Sequence, residues 1–327
     1  MIVPGKYKLN KDQYLESYRK MVLLRRFEEK CGQLYGMGLI GGFCHLYIGQ
    51  EAIITGIDLA KQAEDSTITS YRDHAHIIMA GTEPKYVLAE LMGKATGCSK
   101  GKGGSMHMFD AKNKFYGGHG IVGAQVPIGT GIAFAEKYKN TNNICFTFLG
   151  DGAINQGQVY EAFNLAALWQ LPVIYVIENN QYSMGTSVAR STFMTDLYKK
   201  GESFGIKGYK LNGMSLEDVY DHAKQAVEFV RNGGGPVILE MSTYRYRGHS
   251  MSDPAKYRSK EEVENYKEKD PLTEAKEVIL AKNYANDAEL KTIETEIKEI
   301  VREATEFSEN SPLPEESELY TNVYVNE

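Results

Sequence analysis

From residue 12 to residue 35 apolar side chains return every three or four positions. Met21, Leu24, Phe27, Cys31 and Leu34 fall on one stripe, which predicts an amphipathic helix. Gly36, Gly38, Gly41 and Gly42 then break the pattern. A mixed stretch runs to Gly97, followed by a glycine-dense run to Gly131. The most regular section comes next. Ile144–Leu149 is a continuous apolar run ending at Gly150, and Pro172–Ile177 is a second one rich in branched residues. Between them Val159, Phe163, Ala166 and Ala167 recur with helical spacing, predicting a helix over Asn155–Trp169. Strand, helix and strand in so short a span read as a βαβ unit with parallel strands. A helix over Leu216–Arg231, a turn at Gly233–Pro236 and a strand over Val237–Met241 repeat the arrangement.

The fold class expected is therefore α/β, an open and mostly parallel sheet with helices on both faces. An N-terminal helical segment (1–40) precedes the α/β domain (41–258). From Ser259 the chain turns rich in Glu and Lys, so residues 259–309 read as surface helices. Residues 312–327, with two prolines and alternating tyrosines and valines, read as an arm that needs a surface to lie on. Residues 259–327 form a C-terminal helical extension of one integrated domain. No internal repeat is visible.

Composition narrows the function classes. A chain of 327 residues can bury a large core. Hydrophobic residues make up 42% and charged residues 24%, an ordinary globular balance. The net charge of −6 lacks the basic excess that nucleic acid would demand. No apolar run reaches the length of a membrane span. Residues 1–10 carry neither a signal-peptide core nor an Arg/Ser-rich transit pattern, so a bacterial cytoplasm is expected, with a processed chain in the mitochondrial matrix as the alternative. The four cysteines show no CxxC spacing and read as reduced thiols.

The sharpest chemical signal is Gly150-Asp151-Gly152, followed after 26 residues by Asn179-Asn180. Asp151 lies just past the end of one predicted strand and Asn180 just past the end of the next. Parallel neighbours put both on the same rim, where open α/β sheets bind ligands. The two glycines allow close approach of a bulky anion, and a helix starting near Asn155 aims its free N–H groups at that rim. A carboxylate, an amide oxygen and a nearby carbonyl are hard ligands. With diphosphate oxygens and a water they complete the octahedron that Mg²⁺ prefers.

This segment resembles the thiamine-diphosphate motif. Further pieces resemble the alpha subunits of the decarboxylating component of 2-oxo-acid dehydrogenases, most closely those acting on pyruvate. They are GGFCHLYIGQEA (41–52), SYRDH (70–74), GKGGSMHMF (101–109), GGHGIVGAQVP (117–127), GDGAINQG (150–157), ENNQYSMGTS (178–187) and YRYRGHSMSDP (244–254). They stand in the family's order over about residues 15–260.

The resemblance implies the following roles. Asp151 and Asn180 would give Mg²⁺ their side chains and Tyr182 its carbonyl. Gly152 and Ala153 would bind the diphosphate of thiamine diphosphate through N–H groups, joined by Tyr71 and Arg72. Gly120 and Val122 would line the middle of the cofactor, Val122 as an apolar wedge. His249 and His45 would face the reaction, in which pyruvate loses CO₂ and the two-carbon fragment passes to a lipoyl group. His74, His76, His107 and His119 stay unassigned, and His222 falls on a predicted surface helix. The small residues of GTGIAFA (129–135) suit either a core helix or close packing between subunits.

The resemblance also implies partners. They are a beta subunit supplying the activating glutamate in an α₂β₂ assembly, and the lipoyl domain of a dihydrolipoyl acyltransferase. An acetoin or branched-chain 2-oxo-acid dehydrogenase alpha chain is the runner-up. A non-catalytic cofactor-binding subunit is a third reading, disfavoured by the intact Asp151/Asn180 pair. Ser187 and Ser250 match positions phosphorylated in mitochondrial forms; a third such serine is missing.

Overall fold

The computed structural model describes residues 2–321 and 323–325. Its centre is a sheet of six strands, β1 (Ser66–Ser70), β2 (Phe115–His119), β3 (Cys145–Gly150), β4 (Val173–Asn179), β7 (Lys207–Asn212) and β8 (Val237–Ser242). The order across the sheet is β2-β1-β3-β4-β8-β7, and every pairing in it is parallel. Strands β5 (Tyr182–Ser183) and β6 (Thr186–Ser187) form a separate antiparallel hairpin.

Side chains alternate across a strand with a period of two. In β4, Ile174 and Val176 enter one apolar cluster while Val173, Tyr175 and Ile177 enter the other. The sheet therefore separates two cores, and all seven residues of β4 are buried. The larger core receives α1 (Lys11–Gly36), α2 (Glu51–Ala60), α3 (His74–Ala80) and α4 (Pro84–Leu91). The smaller receives α5 (Gln125–Tyr138) and α6 (Gly157–Leu168). A short α7 (Val188–Ser191) follows the hairpin, and α8 (Leu216–Phe229) returns to the larger core. Helix α1 starts at a capping box, in which the Asn10 side chain accepts the Gln13 N–H and Gln13 answers to the Asn10 N–H.

Helices α9 (Lys260–Lys267), α10 (Pro271–Ala281) and α11 (Asp287–Asn310) occupy the stretch expected to lie on the surface. That expectation is corrected for two of them. Ala275 and Ile279 of α10, and Leu290, Ile297, Val301 and Ala304 of α11, belong to the larger core, with α11 packed on α1 and α4. Their apolar positions are few but fall on one stripe, so a sparse count concealed a buried face. His222 is also corrected. It is 6% exposed, and its Nδ1 lies 2.9 Å from the Asp218 carbonyl. Of the C-terminal arm, Ala95 N–H donates to the Pro312 carbonyl and Lys102 pairs with Glu318 at 2.8 Å, while residues 322, 326 and 327 lie outside the described residues. Among the described residues no helix is long and apolar enough to cross a membrane.

Candidate active site

Parallel strands deliver their C-terminal ends to one rim, and five loops leave from there. Tyr71 and Arg72 follow β1, Gly120 and Val122 follow β2, and Asp151, Gly152 and Ala153 follow β3. Asn180 and Tyr182 follow β4, and Arg245 and His249 follow β8. The register pairs Gly150 with Glu178 and Asn179 with Ser242, so the last three departures are level. His45 arrives separately, on the irregular segment before α2.

The loops enclose two adjoining cavities. One, of about 290 Å³, is lined by Tyr71, Arg72, Val122, Asp151, Gly152, Ala153, Asn180 and Tyr182. The other, of about 520 Å³, is lined by Gly120, His45 and His249. Tyr71, Val122 and Met184 border both. Every residue expected at the site thus lines one cavity or the other. Val122, 40% exposed, stands where they meet. Gly152 is needed for closeness, because a Cβ there would lie 2.2 Å from Ser183 Oγ. Residues 153–155 close a 3₁₀ turn, so α6 begins at Gly157 rather than near Asn155, and Gln156 at its N-cap lines the smaller cavity.

The smaller cavity is lined by buried charged groups. Arg245 and Arg72 are 2% and 5% exposed, and Asp151 is 3% exposed. Burial raises the Asp151 carboxyl above its usual range, opposed by a hydrogen bond from Ser183 Oγ at 2.8 Å and by both arginines. Arg245 was not foreseen from the sequence. Its Nη1 donates to the Tyr182 carbonyl at 3.1 Å and to Asn180 Oδ1 at 3.4 Å. Two of the three expected Mg²⁺ ligands therefore already face a cation, and all three offer the oxygen atoms that a hard ion prefers. Asn180 is fixed by its own Nδ2, which donates to Gln50 Oε1 at 3.0 Å.

In the larger cavity the His45 and His249 rings lie 5.1 Å apart at nearly right angles. The Tyr71 ring lies 4.6 Å from that of His45, tilted against it, and 5.6 Å from that of His249, edge-on. Burial, then the Arg72 charge, push His45 down to about 2 and His249 down to about 4. Both rings are neutral at pH 7. Arg72 donates to the Leu46 carbonyl at 2.6 Å and to the His249 carbonyl at 2.8 Å, tying the two histidine-bearing segments together.

A family model described as "Dehydrogenase E1 component" matches residues 19–317. The chain belongs to that family. Among its curated relatives is the "Pyruvate dehydrogenase E1 component subunit alpha" of Rickettsia bellii, 77% identical over 321 residues, covering 98% of each chain. The protein of that name in Rhizobium meliloti is 56% identical, covering 97% of this chain and 91% of its own. The mitochondrial one of Dictyostelium discoideum is 50% identical, covering 97% and 84%. In this E1-family chain Arg245 and Gln50 were missed although both stand inside segments quoted above. Arg245 differs from Arg247 by facing inward, since Arg247 is exposed. That distinction depends on the path of the chain after β8, which no local pattern carries.

Proposed function

We propose that the chain is the alpha subunit of a pyruvate dehydrogenase E1 component. It would hold thiamine diphosphate and Mg²⁺, act on pyruvate, and hand a two-carbon fragment to the lipoyl group of an acyltransferase in the cytoplasm of a bacterium. A beta subunit would complete the site. The observation that carries this reading is the cluster of Asp151, Asn180 Oδ1 and the Tyr182 carbonyl at two adjacent strand ends, facing a guanidinium in a cavity with a second buried arginine. Similarity to relatives named for pyruvate supports the substrate.

In this reading Asp151, Asn180 and the Tyr182 carbonyl ligate the metal. Gly152 and Ala153 N–H groups, Tyr71, Arg72 and Arg245 take the diphosphate, where a guanidinium can bind two oxygens at once. Gly120 and Val122 line the passage between the cavities. When bound, the cofactor supplies the nucleophilic carbon that attacks the 2-oxo group and accommodates the electrons left as CO₂ departs. His45 and His249, neutral and facing one space, orient the substrate and hold or pass protons at their ring nitrogens. An anion arriving beside Arg72 and Arg245 offsets the positive charge that lowers both rings, so their basicity rises as the site fills.

A substrate panel tests the assignment. The two-chain enzyme, stripped with a chelator, is assayed with pyruvate, branched 2-oxo acids and acetoin. Pyruvate should give the highest kcat/KM, and only after both thiamine diphosphate and Mg²⁺ are restored. Equal turnover of a branched acid, or turnover without the cofactor, overturns it.

A further inference from the structure

Behind the larger cavity, and lining neither cavity, three buried side chains form a continuous hydrogen-bonded chain. His74 is fully buried at the start of α3. Its Nδ1 lies 3.0 Å from Glu28 Oε2 on α1, and its Nε2 lies 2.8 Å from Ser105 Oγ in the glycine-rich loop. Both ends of this chain reach one stretch of backbone. Glu28 Oε1 accepts the Tyr47 N–H at 2.9 Å, and Ser105 Oγ accepts the His45 N–H at 3.4 Å.

That stretch is neither helix nor strand. Its buried polar backbone groups still need partners, and side chains provide them. The Leu46 carbonyl, between the two clamped N–H groups, accepts from Arg72. Burial lowers the His74 pKa, and the facing Glu28 carboxylate more than offsets it, so His74 stands above the ordinary histidine value. Contacts at both ring nitrogens hold the ring between Glu28 and Ser105. The order Ser-His-Glu matches a hydrolytic triad, but Ser105 is only 4% exposed and has no cavity to attack into. Glu28, Cys31 and His74 also present ligand atoms within 4.8 Å of one another. Both His74 nitrogens and both Glu28 oxygens are engaged, which leaves no ligand set for a metal.

We infer that Glu28, His74 and Ser105 are positioning residues that fix the His45 ring in the larger cavity by clamping its backbone from behind. The inference rests on the reading of His45 as a residue of the reaction site. Glu90 reinforces it from a distance. This fully buried carboxylate accepts the N–H groups of Ser99, Gly101 and Gly103 at 2.7–2.8 Å, so the loop that carries Ser105 is itself held.

The test uses Ser105→Ala, with Ser105→Thr as the variant that keeps the hydroxyl. Hydrogen exchange of peptides spanning residues 43–48 is read on the full chain and needs no turnover. Ser105→Ala should speed exchange there about tenfold, the scale of one net hydrogen bond, and leave peptides over 173–179 unchanged. In the two-chain enzyme kcat should fall about tenfold with KM within about twofold, and Ser105→Thr should restore both readouts. In a His45→Ala background the same change should cost kcat less than about twofold, because positioned and positioning residues are not additive. Unchanged exchange at 43–48, or a full additional loss in the His45→Ala background, overturns the proposal. If His45→Ala itself leaves kcat intact, the functional reading of His45 fails, while the exchange result still decides whether the clamp exists. Glu28→Gln, which keeps an oxygen for the Tyr47 N–H but removes the charge that faces His74, gives an independent variant should Ser105→Ala not fold. It should raise exchange over the same peptides, and no rise overturns the clamp.

Discussion

At the scale of single residues, Asp151 carries the heaviest electrostatic duty. It is the only charged side chain in the proposed ligand set, and it sits almost fully buried. Loss of outer contacts around a metal costs roughly 10–100-fold in affinity, and loss of a ligand should cost at least that. Asp151→Ala is therefore expected to weaken Mg²⁺-dependent binding of thiamine diphosphate by ~100-fold or more in calorimetric titration of the assembled enzyme. Unchanged affinity would remove Asp151 from the site. The two histidines make a prediction in pH. His249 sits at about 4 and His45 at about 2 when folded, against an ordinary value of 6.5. A depressed folded value means that stability is fully present above pH 6.5 and drains as pH falls, because the unfolded chain takes up protons that the folded chain refuses. The melting temperature should fall between pH 6.5 and pH 4, and His45→Gln should flatten that fall. These residues were legible for different reasons. Asp151 and Asn180 announced themselves by their spacing and by the apolar runs before them. Arg245 and Gln50 act through contacts made across long stretches of chain, the amide of Gln50 meeting Asn180, and no spacing rule records such a meeting.

Elements show the same division. Strands β3, β4 and β8 were legible because they are buried on both faces and read as apolar runs. The sequence of β1 is Ser-Thr-Ile-Thr-Ser, polar in type yet buried, since it lies inside the sheet between β2 and β3. Strand β2 ends in Gly-Gly-His, and β7 is an edge strand with an exposed, Lys-rich pattern, so neither carries a strand signal. Helix α5 is where small residues matter most. A Cβ on Gly129 would lie 2.1 Å from Thr147 Oγ1 and 3.0 Å from Ile68 Cγ2, so only glycine lets the helix lie this close to β3 and β1. Two residues on, a Cβ on Gly131 would meet nothing within 4 Å. Gly129→Ala should destabilise the chain by about 1–3 kcal/mol through overpacking. Gly131→Ala should stabilise the isolated chain by about 0.5–1 kcal/mol, the difference in helix preference. Denaturant midpoints of the two variants check this, and equal shifts would show that the sheet does not constrain α5.

For the whole molecule the unfinished surface is the decisive feature. Phe134 and Tyr138 of α5 and Leu168 of α6, with neighbouring Trp169, are 43–80% exposed on the helices that cover the smaller core, and the Phe134 ring meets those of Tyr138 and Trp169. Adjacent apolar side chains of this size belong in an interface more readily than in water, and an obligate interface is large and apolar. Chemistry points the same way. The activation of thiamine diphosphate needs a free carboxylate against its aminopyrimidine ring. The carboxylates lining the two cavities are Asp151, Glu178 and Asp253. Each is already bonded, Asp151 to Ser183, Glu178 to the Tyr47 hydroxyl, and Asp253 to the His249 N–H and the Tyr257 hydroxyl. Glu51, a further candidate by position, is 1% exposed and paired with Arg25. Among the described residues no carboxylate of the two cavities is therefore free, and the proposed assembly places the activating glutamate on the beta subunit. Purified alone, this chain should neither decarboxylate pyruvate nor exchange the C2 proton of the cofactor at an enzymatic rate, and adding the beta chain should restore both. Proton NMR in D₂O reads the exchange directly. Full exchange by the chain alone would place the activating carboxylate here, and would leave the exposed apolar face of α5 and α6 in need of another occupant.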